Sequence, residues 1–428
     1  MESSQMEQLA SEYGQRAQAA SQKLRSVSTE SKNAVLATVV QKLRDPQIRE
    51  RILSANGGDV SQAKANGLDA ALVDRLVLSE ERLNGLADAV EVIIGLEDPV
   101  GKIGETSVRP NGLKVSKMQT PLGVIFMIYE SRPNVTIDAA ALCLKASNAV
   151  LLRGGKEALN SNRVLAEVFR EALSENDCPE DALVFVDTPD RNLMRALLQQ
   201  TATVDLVIPR GGTGLISAVS QQSQIPVLQH YQGICHVYVH REANLENAKA
   251  IALNAKTQRP GVCNAMECLV VDEDVAAAFL PEVSTALLEA GVELRACEIS
   301  RSHLPADLVQ QVKSASEADF DTEFLSLVLA IKTVKGFDDA IDFLNRHGSG
   351  HTESIITENQ DRAQQFLVQV DASCVLHNAS TRFNDGGELG LGAELGISTT
   401  KLHAYGPMGL NELCTEKFVV LGEGQVRA

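Results

Sequence analysis

The spacing of hydrophobic and polar positions changes along the chain and predicts three kinds of structure. From residue 3 to residue 95, apolar residues recur every three or four positions, which is the spacing of one helix face, so this stretch is predicted to be helical throughout. Asn56-Gly57-Gly58 and Asn66-Gly67 combine residues that favour turns. We therefore expect turns between helices at both places.

Between Gly101 and Thr120 the pattern becomes one of short alternating strands. These strands flank Arg109-Pro110-Asn111-Gly112, a strong turn signal, so a hairpin is predicted here. A hairpin that protrudes between other regions needs a partner surface. The strand-like segment Lys417–Leu421 near the C-terminus is one candidate partner, and another subunit is the other.

In the remainder of the chain, nearly continuous apolar runs alternate with amphipathic stretches such as Thr213–Gln222. Apolar strands that alternate with amphipathic helices are typical of parallel sheets covered on both faces, and the strands are numerous enough for two α/β domains. The predicted strands are Leu122–Tyr129, Ala149–Arg153, Ala182–Val186, Val204–Pro209, His236–Val239, Glu267–Val271, Leu327–Thr333, Glu353–Thr357 and Ser373–His377.

Composition narrows the class of protein. The 428 residues include 39 basic and 56 acidic side chains, and the net charge of −17 argues against nucleic acid and anionic membranes as partners. Eight scattered cysteines without a CxxC pair are typical of reduced thiols, and no apolar run approaches the ~18 residues of a membrane span. We expect a cytoplasmic protein that is neither secreted nor membrane-embedded.

Two glycine-rich turns are candidate phosphate sites. Arg153-Gly154-Gly155-Lys156 and Arg210-Gly211-Gly212-Thr213 each follow a buried strand and precede a helix. Glycines at such a turn let backbone N–H groups face a phosphate, and the cations add charge-assisted hydrogen bonds. Together the turns suggest a dinucleotide site, although neither is a GxGxxG or a P-loop motif and each can also be an ordinary tight turn.

Cys263 is the candidate nucleophile. It follows Pro260 and Gly261 on an abrupt turn that leads into a short apolar strand, a position from which a thiolate can meet a substrate. The alternative is that Cys263 is a small buried hydrophobic residue, as many cysteines are.

Polar residues elsewhere add candidates. Ser131-Arg132-Pro133-Asn134 ends a predicted strand, at the edge where ligands of open α/β sheets usually bind. Arg132 can instead form a surface ion pair, and Asn134 can cap a helix. Glu323, four residues before a predicted strand, can bind a sugar hydroxyl or simply be solvated at a helix end.

Residues 378–409 form a long glycine-rich segment, and loops of that length are usually functional. Within it, Arg382, Asn384 and Lys401 are natural anchors for a carboxylate or phosphate. His347 and His351 are four residues apart, but two intervening glycines make a helix there improbable and no third ligand is near in sequence, so we predict no metal site.

Four segments closely resemble the gamma-glutamyl phosphate reductase family of the aldehyde dehydrogenase superfamily. They are MIYESRPNVTIDAAALCLKASNAVLLRGGKEA, IPRGGTGLI, NAKTQRPGVCNAMECLVV and NASTRFNDGGELGLGAELGISTTKLHAYGPMG. The resemblance implies an aldehyde-dehydrogenase-like α/β fold with two parallel-sheet domains and a small β arm for oligomerisation. It assigns residues 1–105 and 119–240 to an NADPH-binding domain, 241–409 to a catalytic domain, and 106–118 with 410–428 to the arm.

The resemblance also implies roles for residues. Cys263 would be the catalytic nucleophile, with Ser131 and Asn134 in the region that supplies the oxyanion-binding side chain. Arg153 to Lys156, Arg210 to Thr213 and Glu323 would bind NADPH. The residues Arg132, Asn264, Arg382 and Asn384 would bind substrate.

The implied reaction is the NADPH-dependent reduction of L-glutamyl 5-phosphate to glutamate 5-semialdehyde through a cysteinyl thioester, in proline biosynthesis. Ordinary aldehyde dehydrogenases carry a water-activating glutamate where this chain has Gln229 and His230, and its absence protects the thioester from hydrolysis. A homo-oligomer is implied, and the pathway suggests contact with glutamate 5-kinase. The alternatives are a related acyl-phosphate or acyl-CoA reductase, or a non-catalytic binding protein on this fold.

Overall fold

A computed structural model describes residues 3–228 and 232–427. The chain divides into two compact units, the first containing Met1–Gln229, Leu391–Gly396 and Met408–Ala428 and the second containing His230–Gly390 and Ile397–Pro407. The first unit begins with five helices, as the helical spacing predicts. The helices of the chain are α1 (Ser3–Leu24), α2 (Thr29–Arg44), α3 (Pro46–Ala65), α4 (Ala70–Leu76), α5 (Glu80–Gly95), α6 (Val135–Lys145), α7 (Leu159–Glu175), α8 (Arg191–Leu197), α9 (Thr213–Gln222), α10 (Leu245–Thr257), α11 (Glu273–Glu289), α12 (Glu298–Ser302), α13 (Ala306–Val309), α14 (Glu317–Phe320), α15 (Phe337–His347) and α16 (Gln360–Gln369).

All nine predicted strands are present, with bounds that differ by at most two residues, and further strands accompany them. The strands are β1 (Ser107–Val108), β2 (Lys114–Pro121), β3 (Val124–Tyr129), β4 (Ala149–Arg153), β5 (Leu183–Phe185), β6 (Leu206–Arg210), β7 (Cys235–Val239), β8 (Met266–Asp272), β9 (Glu293–Ala296), β10 (Lys313–Ser314), β11 (Val328–Val334), β12 (Thr352–Ile356), β13 (Cys374–His377), β14 (Ile397–Ser398), β15 (Gly406–Pro407) and β16 (Cys414–Leu421).

The first unit contains a four-stranded parallel sheet in the order β5-β4-β3-β6. Every residue of β3 is buried, which explains why this strand is an uninterrupted apolar run. Because its strands are parallel, the residues that follow β3, β4 and β6 lie at one edge of the sheet. Those residues include Ser131 and both glycine-rich turns.

A separate antiparallel sheet in the first unit contains the predicted hairpin, in the order β1-β2-β16. The strand β16 pairs with β2 along its whole length, from Cys414 opposite Pro121 to Leu421 opposite Lys114. The C-terminal segment is therefore the intrachain partner of the hairpin.

The second unit is built on a seven-stranded parallel sheet in the order β10-β9-β11-β8-β7-β12-β13. The central strand β8 is buried at every position. The segments that precede β7, β8, β11 and β12 all enter the sheet at its amino edge. Gly233, Cys263, Glu323 and His351 lie in those four segments.

Two predictions differ from the structure, one about a turn and one about a domain boundary. The predicted turn at Asn56-Gly57-Gly58 is wrong, because these residues lie inside α3. The buried Asn56 amide donates to the Leu76 carbonyl over 2.9 Å and accepts from the Leu78 N–H over 2.8 Å, so Asn56 holds the chain after α4 instead of turning its own chain. The other predicted turn is confirmed, since α3 ends at Ala65 with Asn66 as its C-cap and Gly67 has a φ of +72°.

The predicted boundary at residue 240 also differs from the division of the chain. It places β7 in the first domain, whereas β7 pairs with β8 and β12 in the seven-stranded sheet. Residues 391–396 likewise belong to the first unit, where Arg210 Nη1 donates to the Leu395 carbonyl over 3.0 Å. A strand's sheet depends on backbone pairing between distant segments, which the apolar pattern of the strand does not encode.

None of the helices in residues 3–228 and 232–427 combines the length and apolar character needed to cross a membrane. Among the described residues, no three His, Cys, Asp or Glu side chains are grouped so as to hold a metal ion. His347 is instead 2.7 Å from Asp321, and His351 Nδ1 is 2.7 Å from the Thr352 hydroxyl.

Candidate active site

Cys263 lies on the turn between α10 and β8, in the second unit. The helix begins with Asn244 capping the Asn247 N–H, and Pro260 follows its end. The turn then enters β8 at Met266, so Cys263 is partly exposed while the next strand is fully buried. This is the location that the sequence predicts for a reactive thiol.

Gly233, in the segment that precedes the neighbouring strand β7, packs against the backbone of this turn. A Cβ at Gly233 would lie 1.9 Å from the Cys263 carbonyl oxygen and 2.7 Å from its Cα. Two residues later, the buried thiol of Cys235 donates to the same carbonyl over 3.1 Å. Burial raises the pKa of Cys235 well above that of an ordinary thiol, so Cys235 supports the turn and is a poor nucleophile.

Asn264, next to the candidate nucleophile, anchors part of the glycine-rich segment. Its amide nitrogen donates to the Asn384 carbonyl over 2.9 Å, and the Asn384 amide donates to the Thr352 hydroxyl over 2.8 Å. Asn264 is 4% exposed and Asn384 is 0% exposed. Both predicted substrate residues therefore lie beside the turn of Cys263, where their buried amides make hydrogen bonds within the protein.

Arg382 places a positive charge beside the turn. Its Nε donates to Gln258 Oε1 at the end of α10 over 2.8 Å. Burial lowers the pKa of Arg382, and the thiol of Cys263 is among the groups that act in the opposite direction. The positive charge of Arg382 attracts negative charge at Cys263, so this guanidinium can stabilise a thiolate or an anionic substrate group. Lys401, by contrast, pairs with Asp371 over 2.6 Å.

Glu323 lies at the same edge of the sheet. Its Oε1 accepts a hydrogen bond from the Gly233 N–H over 2.9 Å, and burial raises the pKa of its carboxyl. Sequence analysis selects Glu323 but misses Gly233, which contacts both Glu323 and Cys263. Nothing in the local pattern around Gly233 distinguishes it from a turn glycine.

A buried ion pair behind this turn is also absent from the sequence prediction. Lys256 Nζ is 2.5 Å from Glu267 Oε2, and the two side chains are 0% and 1% exposed. Glu267 Oε1 accepts from the Leu325 N–H over 3.1 Å. Burial raises the pKa of Glu267 to about 7, and Lys256 opposes that shift.

The first glycine-rich turn, in the first unit, carries an incompletely satisfied cation. Arg153 Nη2 donates to the Pro189 carbonyl over 3.1 Å, while its buried Nε has no hydrogen-bond acceptor among the described residues. Burial and the neighbouring Arg191 lower the pKa of Arg153. A buried guanidinium with an unsatisfied donor and a second positive charge acting on it fits a phosphate, and Lys156 is an exposed cation close by in sequence.

The glycines of both turns are close to side chains of the protein itself. A Cβ at Gly154 would lie 2.0 Å from the Asn162 amide, so this glycine allows close packing of the strand against α7. In the second turn, the Gly212 N–H at the start of α9 donates to a carboxylate oxygen of Glu130 over 3.0 Å. The Glu130 carboxylate therefore accepts from the N–H group that the sequence predicts to face a phosphate.

The segment Ser131 to Asn134 follows β3 at the same edge of the four-stranded sheet. Ser131 has a φ of +36°, and Glu157 Oε1 accepts from its N–H over 3.0 Å and from its hydroxyl over 2.6 Å. Asn134 precedes α6 but makes no capping hydrogen bond with its side chain, which donates to Asp138 over 2.8 Å. The cap alternative for Asn134 is thus wrong. Gln229 and His230, the counterparts of the water-activating glutamate, lie outside the described residues.

The chain is similar to known proteins over nearly its whole length. Residues 3–295 and 303–416 match the Aldehyde dehydrogenase family. The chain is 51% identical to the gamma-glutamyl phosphate reductase of Idiomarina loihiensis, over 98% of this chain and 99% of that protein. It is also 51% identical to the protein of the same name from Desulfotalea psychrophila, over 99% of this chain and 100% of that protein.

Solved structures agree with these relatives. The crystal structure of gamma-glutamyl phosphate reductase from Thermotoga maritima matches with a TM-score of 0.94 and 45% identity, covering 98% of this chain and 100% of that one. An acetylating aldehyde dehydrogenase from Geobacillus thermoglucosidasius, at 19% identity and a TM-score of 0.70, covers 100% of this chain and 99% of that one and shares the fold.

The chain belongs to the aldehyde dehydrogenase family, which confirms the predicted fold class. Within that family it groups with the gamma-glutamyl phosphate reductases. The family implies an oxidoreductase that uses a nicotinamide cofactor and acts on a small molecule.

Proposed function

We propose that this protein reduces L-glutamyl 5-phosphate to L-glutamate 5-semialdehyde and phosphate, with NADPH as the reductant, in the biosynthesis of proline. The observation that carries the proposal is the partly exposed Cys263 on a turn held by Gly233 and Asn264, in a chain about half identical to reductases of that name over nearly its full length.

In the first chemical step, the Cys263 thiolate attacks the acyl carbon of the substrate. A carbon–sulfur bond forms, the carbon–oxygen bond to phosphate breaks, and phosphate leaves with its electron pair. Arg382 stabilises negative charge on the thiolate and on the departing group, and backbone N–H groups of the Cys263 turn are candidates to hold the oxyanion. The product of this step is a thioester on Cys263.

When bound, NADPH supplies the hydride that reduces the thioester carbon. Collapse of the resulting tetrahedral centre then breaks the carbon–sulfur bond and returns the thiolate. Arg153, Lys156 and the Gly154-Gly155 backbone would hold the phosphate groups of the cofactor, and Glu323 would hold the nicotinamide ribose. Arg210 to Thr213 remain predicted cofactor residues, and Glu130 would have to leave the Gly212 N–H for a phosphate to bind there.

The remaining assigned roles stay predictions. Ser131 and Asn134 are predicted catalytic residues, and Arg132, Asn264, Arg382 and Asn384 are predicted to bind substrate. The buried amides of Asn264 and Asn384 support an indirect role, in which they hold the backbone that carries Arg382. A cytoplasmic location and contact with glutamate 5-kinase are also predictions.

The reaction is tested in the reverse direction with glutamate 5-semialdehyde, phosphate and NADP⁺, by following absorbance of the reduced cofactor. Cys263→Ser should abolish turnover, because the serine hydroxyl that replaces the thiol is a far weaker nucleophile than a thiolate. Cys374→Ser is the matched control, since Cys374 is a half-buried cysteine of the same sheet whose pKa burial raises to about 11. Turnover by Cys263→Ser near the wild-type rate would contradict the proposal.

We further propose that the arm sheet, formed by β1, β2 and β16, joins two copies of the chain. Val108, Phe418, Val420 and Leu421 are each more than half exposed, and β16 is a long edge strand. Such an edge promotes aggregation unless it is covered. Phe418→Glu should therefore lower the molar mass measured by light scattering to that of a smaller assembly. An unchanged molar mass would show that this surface is not the interface.

A further inference from the structure

The buried carboxylate of Glu267 has no place in the mechanism above, yet it lies between two parts of the candidate site. It is the second residue of β8, a strand in which all seven residues are buried. A charge in such a strand carries a large desolvation cost, which an apolar residue of similar size would avoid. Its two oxygens have different partners, which indicates what the carboxylate does.

One carboxylate oxygen of Glu267 pairs with a lysine, and the other accepts a backbone hydrogen bond. Lys256, near the end of α10, is 2.5 Å from Oε2 and compensates the charge. Oε1 accepts from the Leu325 N–H over 3.1 Å, and this bond joins β8 to the segment that precedes β11. Lys256 and Glu267 flank the turn of Cys263 in sequence, so the pair also closes the base of that turn.

The segment around Leu325 needs such an anchor. Leu325 has a φ of +52°, a conformation that L-residues rarely adopt, and the residue is 44% exposed. Phe324 before it lies under the guanidinium of Arg295, with the Lys256 ammonium 6.0 Å from its ring centroid. The hydrogen bond to Glu267 is therefore a main restraint on the backbone at this point.

Glu323 is two residues from Leu325 and depends on the same backbone. Its carboxylate accepts from the Gly233 N–H over 2.9 Å, and Gly233 packs directly on the Cys263 backbone. A continuous series of contacts thus runs from Lys256 through Glu267 and Leu325 to Glu323, Gly233 and Cys263.

We propose that Glu267 is a positioning residue, which accepts from the Leu325 N–H and thereby holds Glu323 at the orientation needed to bind the nicotinamide ribose of the cofactor. This inference rests on the proposed function of Cys263 and Glu323. Glu267 itself touches neither substrate nor cofactor, and Lys256 serves to make its burial tolerable.

Two double variants isolate the hydrogen bond. Lys256→Met with Glu267→Gln removes both charges but keeps an amide oxygen that can accept from the Leu325 N–H. Lys256→Met with Glu267→Met removes the same charges and also the acceptor, at nearly the same side-chain volume. Replacement of a buried ion pair by groups of similar volume is usually tolerated, so both variants should fold.

The expected result is a split between cofactor binding and thiol reactivity. Relative to the Gln-containing variant, the Met-containing variant should have KM for NADP⁺ and Kd for NADPH raised about tenfold, the effect of one lost hydrogen bond. Its rate of alkylation by iodoacetamide at Cys263 and its KM for phosphate should stay within about twofold. Cys263→Ser in each background identifies the alkylated thiol.

Equal cofactor KM and Kd values in the two double variants would overturn the proposal, as would a parallel loss of Cys263 alkylation. Glu353→Gln tests general loosening, because Glu353 is a buried carboxylate of the same sheet, 2.9 Å from His236. A similar rise of cofactor KM in that variant would also overturn the proposal. Failure of the wild-type protein to bind NADPH, or full activity of Cys263→Ser, would instead refute the proposed function.

Discussion

Gly233→Ala is the substitution for which the structure predicts the sharpest effect. The new Cβ would lie 1.9 Å from the Cys263 carbonyl oxygen, whereas real Cβ contacts essentially never fall below 3.0 Å. The backbone at residue 233 or the turn of Cys263 must therefore move by about 1.1 Å. Neither partner is a flexible side chain that can swing away, because the opposing atoms belong to the backbone of Cys263.

The cost to activity follows from that displacement. A misplacement of about 1 Å at a reacting group can reduce the rate about 100-fold, which corresponds to about 2.7 kcal/mol of transition-state stabilisation. The shift also lengthens the hydrogen bond from the Gly233 N–H to Glu323, so binding of NADP⁺ should weaken at the same time. We expect kcat/KM for glutamate 5-semialdehyde to fall about 100-fold.

The assay is steady-state formation of NADPH from semialdehyde, phosphate and NADP⁺, with thermal unfolding measured on the same samples. Gly85→Ala is the matched control, because a Cβ at Gly85 in α5 meets no atom within 4 Å. A kcat/KM of Gly233→Ala within about threefold of wild type, at an unchanged Tm, would refute the reasoning, since contact with the Cys263 backbone could not then be positioning the thiol.

Three further predictions concern stability, pH and cofactor choice. Gly85→Ala should raise the free energy of unfolding by about 0.5–1 kcal/mol in a urea titration, because α5 gains helix propensity without a clash. Burial lowers the pKa of His240, whose Nδ1 accepts from the Glu242 N–H. Stability from the neutral ring is thus complete above the unfolded pKa of about 6.5 and is lost as pH falls through the lower folded pKa. Urea titrations from about pH 5 to 7.5 should show this slope in wild type and a smaller slope in His240→Asn. Arg153→Met should weaken binding of NADPH about 10-fold or more while changing Kd for NADH less, as measured by cofactor fluorescence. Equal losses for both cofactors would place the 2′-phosphate elsewhere.

Strands that are buried along nearly their whole length are the strands that the sequence predicts best, because burial favours apolar residues at every position. The strand β4 has the predicted bounds, since Ala149 to Leu152 are buried on both faces and form an unbroken apolar run. The apolar pattern does not predict the strand β9, because Glu293 and Arg295 are only partly buried there and pair with Lys313 and Asp319. Its pairing with β11, which the local pattern does not reveal, makes it a strand.

The candidate nucleophile was also accessible from the sequence. Pro260, Gly261 and the apolar run from Met266 onward determine a turn followed by a buried strand, and that combination leaves Cys263 partly exposed. What surrounds Cys263 was not accessible, because Gly233, Glu323 and Asn384 come from distant parts of the chain. They meet at the turn because β7, β8 and β11 are parallel neighbours and the segment after β13 runs back to the same edge.

The two glycine-rich turns show that a correctly predicted local structure does not by itself identify the ligand. Both turns join a strand to a following helix as predicted, yet the Gly212 N–H at the start of α9 donates to the Glu130 carboxylate. A carboxylate and a phosphate satisfy the same backbone donors, so glycine spacing alone cannot distinguish them.

A charged residue within an apolar run is a sequence signal for a buried polar contact, as Glu267 in β8 illustrates. Glu267 begins a predicted strand whose other residues are apolar, and Lys256 lies near the end of a helix eleven positions earlier, so their pairing is compatible with the local pattern. The third partner, the Leu325 N–H, is 58 residues away and has no side-chain signature. A charged residue in a core strand can therefore be selected from sequence as a candidate functional or positioning residue. Which backbone group it binds is known only from the fold, because that group is distant in sequence and carries no side-chain signal.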